Sequence, residues 1–348
     1  MSVFRVYIEV NECSIAIGDA AFFAFQKTTQ EEEQMIVGVD HGNSFMKTQG
    51  FTFPAGLTVR ETKPPAAMVR EFIEYEGKYY IPTGSARLAY ARDKTKNDDY
   101  FILTLFAIMK ELCRTKTLDQ LANTHTSITL SIGLPPLHYD QLKEKWEQYF
   151  LRKGVKFKYN DVPVAVSIDK VYVFVQGFAG AVLYGVDKLS EYSEICIVDI
   201  GGYTTDVLVL NIDEEGVRID MEHFMSIEEG VIKLTDKASD EISAKFDLLI
   251  KESLFEKVFK GEKTFLSDEV IEFIHQSVDA QAAKILNIIR QKGIDLKTMP
   301  ALFIGGGGAV FKRSLQNSDM VAKPIFLDDQ RANAIGYYKL AKAAKKSR

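Results

Sequence analysis

The 348 residues include only three cysteines, five histidines and one tryptophan. Cys13, Cys113 and Cys196 are too few and too far apart for a disulfide framework or a cysteine-rich zinc site, and their scarcity fits a reduced, cytoplasmic compartment. Cys196 lies in the apolar run Ile195–Val198 and reads as a small core residue. No two histidines stand in the H-x-x-x-H spacing of a zinc hydrolase. Positive charge is not in excess. The formal net charge is −5, which argues against broad electrostatic binding of nucleic acid. No apolar stretch reaches the ~20 residues of a membrane-spanning helix. The nearest, Val171–Val186, follows Asp169 and Lys170 and changes midway from β-branched alternation to an Ala/Gly-rich composition, so it reads as a buried strand running into a buried helix. Glu9, Glu12 and Asp19 interrupt the N-terminal apolar residues, which therefore do not form a clean signal peptide.

What is present is ordinary globular usage, 46% hydrophobic and 26% charged. The length suits about two domains and a core that needs no covalent staples. Residues 1–34 read as an N-terminal extension: SVFRVYIEV and IAIGDAAFFAF alternate like strands, and the hydrophilic TTQEEEQ follows. The other reading makes them a hairpin integral to the fold. From Met35 onward, strand hairpins alternate with helices. Hairpins are expected at 35–51, 71–81 and 195–211, and strands at 127–132, 162–168, 171–175 and 301–304. Helices are expected at 98–114 with Asn97 as cap, at 141–152, from 177, at 228–249, 267–292 and 331–344. This is an α/β pattern with a mixed sheet in each of two parts.

One element occurs twice. MIVGVDHGNS and ICIVDIGGYT, about 160 residues apart, are each an apolar strand, an aspartate and a glycine-bearing turn. Each strand delivers its aspartate, Asp40 or Asp199, to its end. Gly42, Asn43 and Ser44 follow in the first copy; Gly201, Gly202, Tyr203 and Thr204 follow in the second. Glycine lets backbone come close to a ligand, and successive turn N–H groups can point at phosphate oxygens. Ser44 and Thr204 add hydroxyls, and Lys47 on the returning strand can reach a phosphate as a point charge. Two aspartates and water suit a magnesium ion. A single such hairpin is usually only a turn; the repetition is what points to a ligand. A third element, LFIGGGGAVF, sets Gly305, Gly306, Gly307 and Gly308 between a strand and a helix. It reads either as a tight turn or as backbone on which a ring or ribose can lie.

These three elements, in this order, resemble the actin-like ATPase superfamily, with DHGNSFMK (40–47) and DIGGYTTDV (199–207) as the two phosphate loops and IGGGG (304–308) as the adenosine loop. SIGLPPLHYD (131–140) and QRANAIGYYKLA (330–341) are similar to the ParM/StbA-type plasmid-segregation actins. The resemblance implies an actin-like (ribonuclease H-like) two-lobed fold with a nucleotide cleft between the lobes. Lobe I would comprise 35–175 plus 325–348 and lobe II 176–324. It implies ATP (or GTP) and Mg2+ as cofactors, with Asp40 and Asp199 on the metal side. In VYVFVQGFAGAVLY it puts Gln176 where the family positions the attacking water. Glutamine is no strong base but can orient a water, which suits slow hydrolysis. The plain reading of Gln176 is a polar residue at a strand end, and Asp206 reads as structural.

The function so implied is a filament-forming bacterial actin-like ATPase. It would polymerise head to tail with itself and move plasmid DNA indirectly through a DNA-binding adaptor protein, without a membrane. Two alternatives remain open at this level. A small-molecule kinase of the same superfamily would need a catalytic base near Gln176, and 171–186 contains no Asp or Glu. A non-hydrolysing nucleotide-binding scaffold would need none. The basic KLAKAAKKSR end reads as a solvated helix end or as a contact for DNA or acidic partners.

Overall fold

The computed structural model describes residues 35–86, 88–91 and 93–346, and the backbone of 9–10 and 13–14. The first part of the chain forms β1 (Glu9–Val10), β2 (Cys13–Ser14), β3 (Met35–His41), β4 (Phe45–Thr48), β5 (Thr52–Pro54), β6 (Gly56–Arg60), β7 (Ile73–Tyr75) and β8 (Lys78–Thr83). Then come α1 (Asp99–Leu112), α2 (Leu118–Leu121), β9 (His125–Leu134), α3 (Tyr139–Phe150), β10 (Arg152–Tyr159), β11 (Val162–Val175), α4 (Phe178–Tyr184) and α5 (Val186–Leu189). The remainder forms β12 (Glu194–Ile200), β13 (Thr205–Asp213), β14 (Gly216–Ile227), α6 (Val231–Phe246), α7 (Glu252–Phe259), α8 (Asp268–Gln291), β15 (Ala301–Ile304), α9 (Gly306–Gln316), β16 (Pro324–Phe326) and α10 (Ala332–Lys346). Of the strands expected before Met35, Glu9–Val10 pairs antiparallel with Cys13–Ser14, and the rest lies outside the described residues.

Two compact units result. The first takes the described residues up to Glu191, the stretch Ile212–Arg218 at the β13–β14 turn, and the chain from Arg331; the second takes Tyr192–Asn211 and Ile219–Gln330. The first unit carries a nine-stranded mixed sheet in the order β5-β4-β3-β9-β11-β10-β7-β8-β6. Its centre is parallel: β3 runs with β9, and β9 with β11. Helix α1, with Phe101, Leu105, Ile108 and Leu112 at helical spacing, is buried on nearly all sides: everything except Asp99 and Lys110 is inside, Thr104 and Glu111 included. Asn97 does not cap it; Asp98 holds the N-cap position, and Asn97 bonds with Asp99. The two strands expected at 162–168 and 171–175 are one, β11, with a register shift between Ile168 and Lys170. The charged Asp169-Lys170 pair looks like a break in sequence, and a bulge accommodates it without ending the ladder.

The second unit carries a five-stranded sheet, β14-β13-β12-β15-β16. Here β12 and β13 form the expected antiparallel hairpin, and β12 runs parallel to β15. Cys196, Val198 and Ile200 of β12 pack with Ile285, Leu286 and Ile289 of α8 and with Phe303 and Phe311. A separate apolar cluster joins α6, α7 and the first half of α8 through Ala238, Ile242, Phe255, Val258, Val270 and Ile274.

Candidate functional site

In the first unit, β3 is buried along its last five residues and brings Asp40 to the sheet's carboxyl edge with 5% exposure. The β3–β4 register sets Asp40 opposite Lys47, and Lys47 Nζ lies 2.9 Å from Asp40 Oδ2. The turn is tight. A Cβ on Gly42 would overlap the Phe45 carbonyl oxygen, and the Ala55 N–H closes the loop by donating to the Ser44 carbonyl at 3.0 Å. His41, between Asp40 and Gly42, is 5% exposed. Its Nε2 lies 2.8 Å from Thr104 Oγ1, and its carbonyl accepts from Lys94 Nζ. Burial, and then the Lys94 charge, push the imidazole well below its ordinary value, so the ring is neutral. Asn43 Oδ1 accepts a long bond, 3.4 Å, from the Tyr100 hydroxyl.

Gln176 follows the end of β11, half-buried, and its N–H donates to the Leu134 carbonyl at the end of β9, 2.8 Å away. The next residue, Gly177, donates its N–H to Asn333 Oδ1 of α10 at 3.0 Å. Because β3, β9 and β11 are parallel neighbours, the structure brings Asp40, the Gly42–Lys47 turn and Gln176 to one edge of one sheet. Ligands of α/β proteins bind at that carboxyl edge.

In the second unit the same logic operates on β12 and β15. Asp199, 2% exposed, pairs in register with Ile304. Gly305 has φ +82°, and a Cβ there would overlap Asp199 Oδ1, so only glycine fits beside the carboxylate. The glycine run is not a loop ahead of a helix. Helix α9 begins at Gly306, and Gly307 packs on Ile200 while open space surrounds Gly306. Close packing on β12 overrides the poor helix propensity of glycine. The turn at Gly201–Thr204 is closed by the Gly201 N–H donating to the Thr204 carbonyl at 2.8 Å. The Gly201 and Gly202 carbonyls accept from Val231 and Ile232 at 3.1 and 2.7 Å, so this turn satisfies the first amides of α6. The Glu229 carbonyl accepts from the Thr205 hydroxyl at 2.7 Å.

One residue gains importance in the structure. Asp206, read as structural, stands directly opposite Asp199 in the antiparallel ladder and is also 2% exposed. Opposed residues share a face, so two buried carboxylates meet there, a donor set suited to a divalent cation with water and phosphate. The seven-residue spacing across a short turn was the sequence signal for it. Among the described residues no three His, Cys, Asp or Glu converge on a metal position; magnesium, which keeps several waters, needs no such triad. A groove of about 230 Å³ lies between α6 and α8, lined by Lys237, Glu241, Phe273, Ser277, Gln281 and Lys284 among others; none of the sequence-predicted site residues lines it.

Two family models match this chain. One, actin like proteins N terminal domain, covers residues 38–178; the other, archaeal actin homologue MreB-like, C-terminal, covers 197–317. Between them they take in both turns, Gln176 and the glycine run. The chain belongs to the actin-like ATPase superfamily. Its mixed two-sheet architecture is the actin-like fold. The sequence matches none of the curated proteins. Among solved structures it is similar to Ta0583, an archaeal actin homologue, at TM-score 0.71 and 18% identity over 89% of this chain and 100% of that one. The same homologue in complex with ADP matches at 0.70 and 17% identity, over 89% and 99% of the two chains. A 15-stranded ParM filament from Clostridium botulinum matches at 0.71 and 18%, again over 89% and 99%. At these identities the likeness is one of fold. Among the described residues of this actin-like chain, no helix is long and apolar enough to cross a membrane.

Proposed function

We propose that this actin-like protein binds ATP (or GTP) with Mg2+, hydrolyses it slowly and assembles head to tail into filaments. The observation that carries the reading is the repeated arrangement of a buried aspartate and a closed glycine turn at the carboxyl edge of a parallel strand, once in each unit, in the superfamily's order. In this reading Gly42, Asn43, Ser44 and Lys47, and Gly201, Gly202, Tyr203 and Thr204, contact phosphate. Asp40 and Asp199 take the magnesium side, Gln176 orients the attacking water, and Gly305–Gly308 lie against the nucleoside. The ADP complex of a like-folded protein supports nucleotide binding. The filament that another like-folded protein forms supports self-assembly, which for unlike faces of one chain gives an open polymer. The proposal extends to a cytoplasmic setting and to plasmid DNA carried through a DNA-binding adaptor, on the resemblance to ParM-type proteins.

The test is light scattering together with phosphate release after adding Mg-ATP or Mg-GTP, with sedimentation across a protein concentration series. Assembly above a critical concentration, followed by phosphate release without any added sugar, is the expected result. Phosphorylation of an added small molecule by a protein that stays monomeric would favour the kinase reading. Assembly with nucleotide but without phosphate release would favour a scaffold.

A further inference from the structure

His41 sits in a box that the phosphate-binding reading does not use. Its ring centroid lies 5.5 Å from Trp146 and 5.0 Å from Phe150 of α3, and 6.1 Å from Tyr100 of α1. The bond to Thr104 fixes the tautomer. The Thr104 hydroxyl donates its only proton to the Tyr100 carbonyl, 2.7 Å away, so Oγ1 can only accept from His41, and Nε2 carries the hydrogen. The same residue is held by its backbone, through Lys94 on its carbonyl, and Lys94 in turn lies 4.8 Å over the Tyr100 ring. Helix α1 therefore grips the turn at two successive places, Thr104 on His41 and Tyr100 on Asn43. A histidine that served only to fill the core would need none of this polar bracing. Here the bracing falls on the residue between the magnesium-side aspartate and the first glycine of the turn.

We propose that His41 is a positioning residue for phosphate binding: through Thr104 it sets the conformation of the first turn, and the aromatic box around it ties that conformation to Trp146. The inference rests on the nucleotide reading above. Trp146 is the only tryptophan in the chain, so its emission reports on the box without labelling.

The experiment is a titration of the full chain with Mg-ADP and Mg-ATP, followed by Trp146 fluorescence and separately by calorimetry. The wild type is compared with Thr104→Val, Thr104→Ser and Ile108→Val. Thr104→Val keeps the side-chain shape but leaves the His41 N–H buried without an acceptor, and should weaken nucleotide binding roughly 10-fold. Thr104→Ser restores the hydroxyl and should restore both affinity and the fluorescence change. Ile108→Val loosens the same helix without touching the turn, and should lower thermal stability with the dissociation constant unchanged. Wild-type affinity in Thr104→Val, or an equal loss in Ile108→Val, would overturn the positioning role. So would calorimetric binding to the wild type with no change in Trp146 emission. A wild type that binds no nucleotide by calorimetry would instead remove the nucleotide reading, and this inference with it.

Discussion

The two turns, nearly interchangeable as sequence motifs, are held in place by different means. The first, after Asp40, is anchored by side chains from far along the chain: Thr104 and Tyr100 of α1, Lys94, and the aromatic rings of α3. The second, after Asp199, is anchored by backbone bonds to the start of α6 and by the Thr205 hydroxyl on the Glu229 carbonyl. Its carbonyls begin α6, and its aspartate lies against a glycine that no other residue can replace. A backbone anchor leaves a trace in the local sequence where it demands glycine, as Gly305 does beside Asp199. A side-chain anchor leaves its trace elsewhere, in residues such as Thr104 and Trp146 that look like ordinary core. The two turns therefore carry equal chemistry in the proposed reaction and unequal tolerance to change.

The largest expected effect is on the second turn. Asp199→Ala should reduce phosphate release roughly 1000-fold, the scale for losing a fixed charge at a developing transition state. Fold should be retained, since the carboxylate contributes to the site rather than to the apolar core of the second unit. Steady-state phosphate release and circular dichroism measure both, and near-normal release from a folded variant would remove Asp199 from the metal side. Gln176→Ala should slow hydrolysis by about 100-fold, as for a lost water-positioning group, while leaving nucleotide affinity within about 2-fold. Filaments of this variant should outlast those of the wild type after an ATP pulse. Disassembly at the normal rate would return Gln176 to its plain reading as a polar strand end.

A pair of alanine substitutions sharpens the contrast directly. At Gly42 a Cβ would overlap the Phe45 backbone, which the hairpin register holds rigidly. At Gly201 the nearest atom to a Cβ is the Thr204 carbonyl oxygen, at 3.0 Å, a contact relieved by a small shift. Gly42→Ala should therefore cost about 2 kcal/mol or more, and Gly201→Ala no more than about 1 kcal/mol, within the ranges for backbone clash and for mild crowding. Urea midpoints measured on both variants decide it, and equal midpoints would show that the first turn is as yielding as the second.

Much of the site was legible because hairpins declare themselves: an apolar run, an aspartate, glycine and a returning apolar run left little choice at 35–48 and 194–211. What escaped did so for identifiable reasons. Strand β14, GVRIDMEHFMSI, mixes charge and apolar residues without strict alternation because it is an edge strand with one open side. Helix α7 is short and was hidden between the two long helical patterns. The expected helix from 228 starts only at Val231, because the residues before it serve the second turn. The surroundings of His41 were invisible, since nothing near it in sequence shows that Thr104 and Trp146 will meet it.

The smallest expected effect concerns the support behind the second turn. Glu229 precedes Gly230 at the start of α6, and its carboxylate joins α8 by accepting from Gln281 Nε2 at 2.5 Å and from Lys284 Nζ. Burial alone would raise its pKa, but the bonds from Lys284 and Gln281, and then the Lys284 and Lys233 charges, outweigh that and lower it. A carboxyl whose folded pKa is depressed stabilises the fold above its unfolded value, near 4.5, and that contribution disappears as pH falls below it towards the folded value. Lys284 is more than half exposed, so solvent screens the pair and its worth is under about 1 kcal/mol. Lys284→Met should therefore lower the urea midpoint slightly at pH 7 and bring wild type and variant closer together as pH falls below about 4.5. A Lys284→Met deficit that stayed constant down to pH 4 would mean that the lysine acts through its packing on α8 and not through the Glu229 charge.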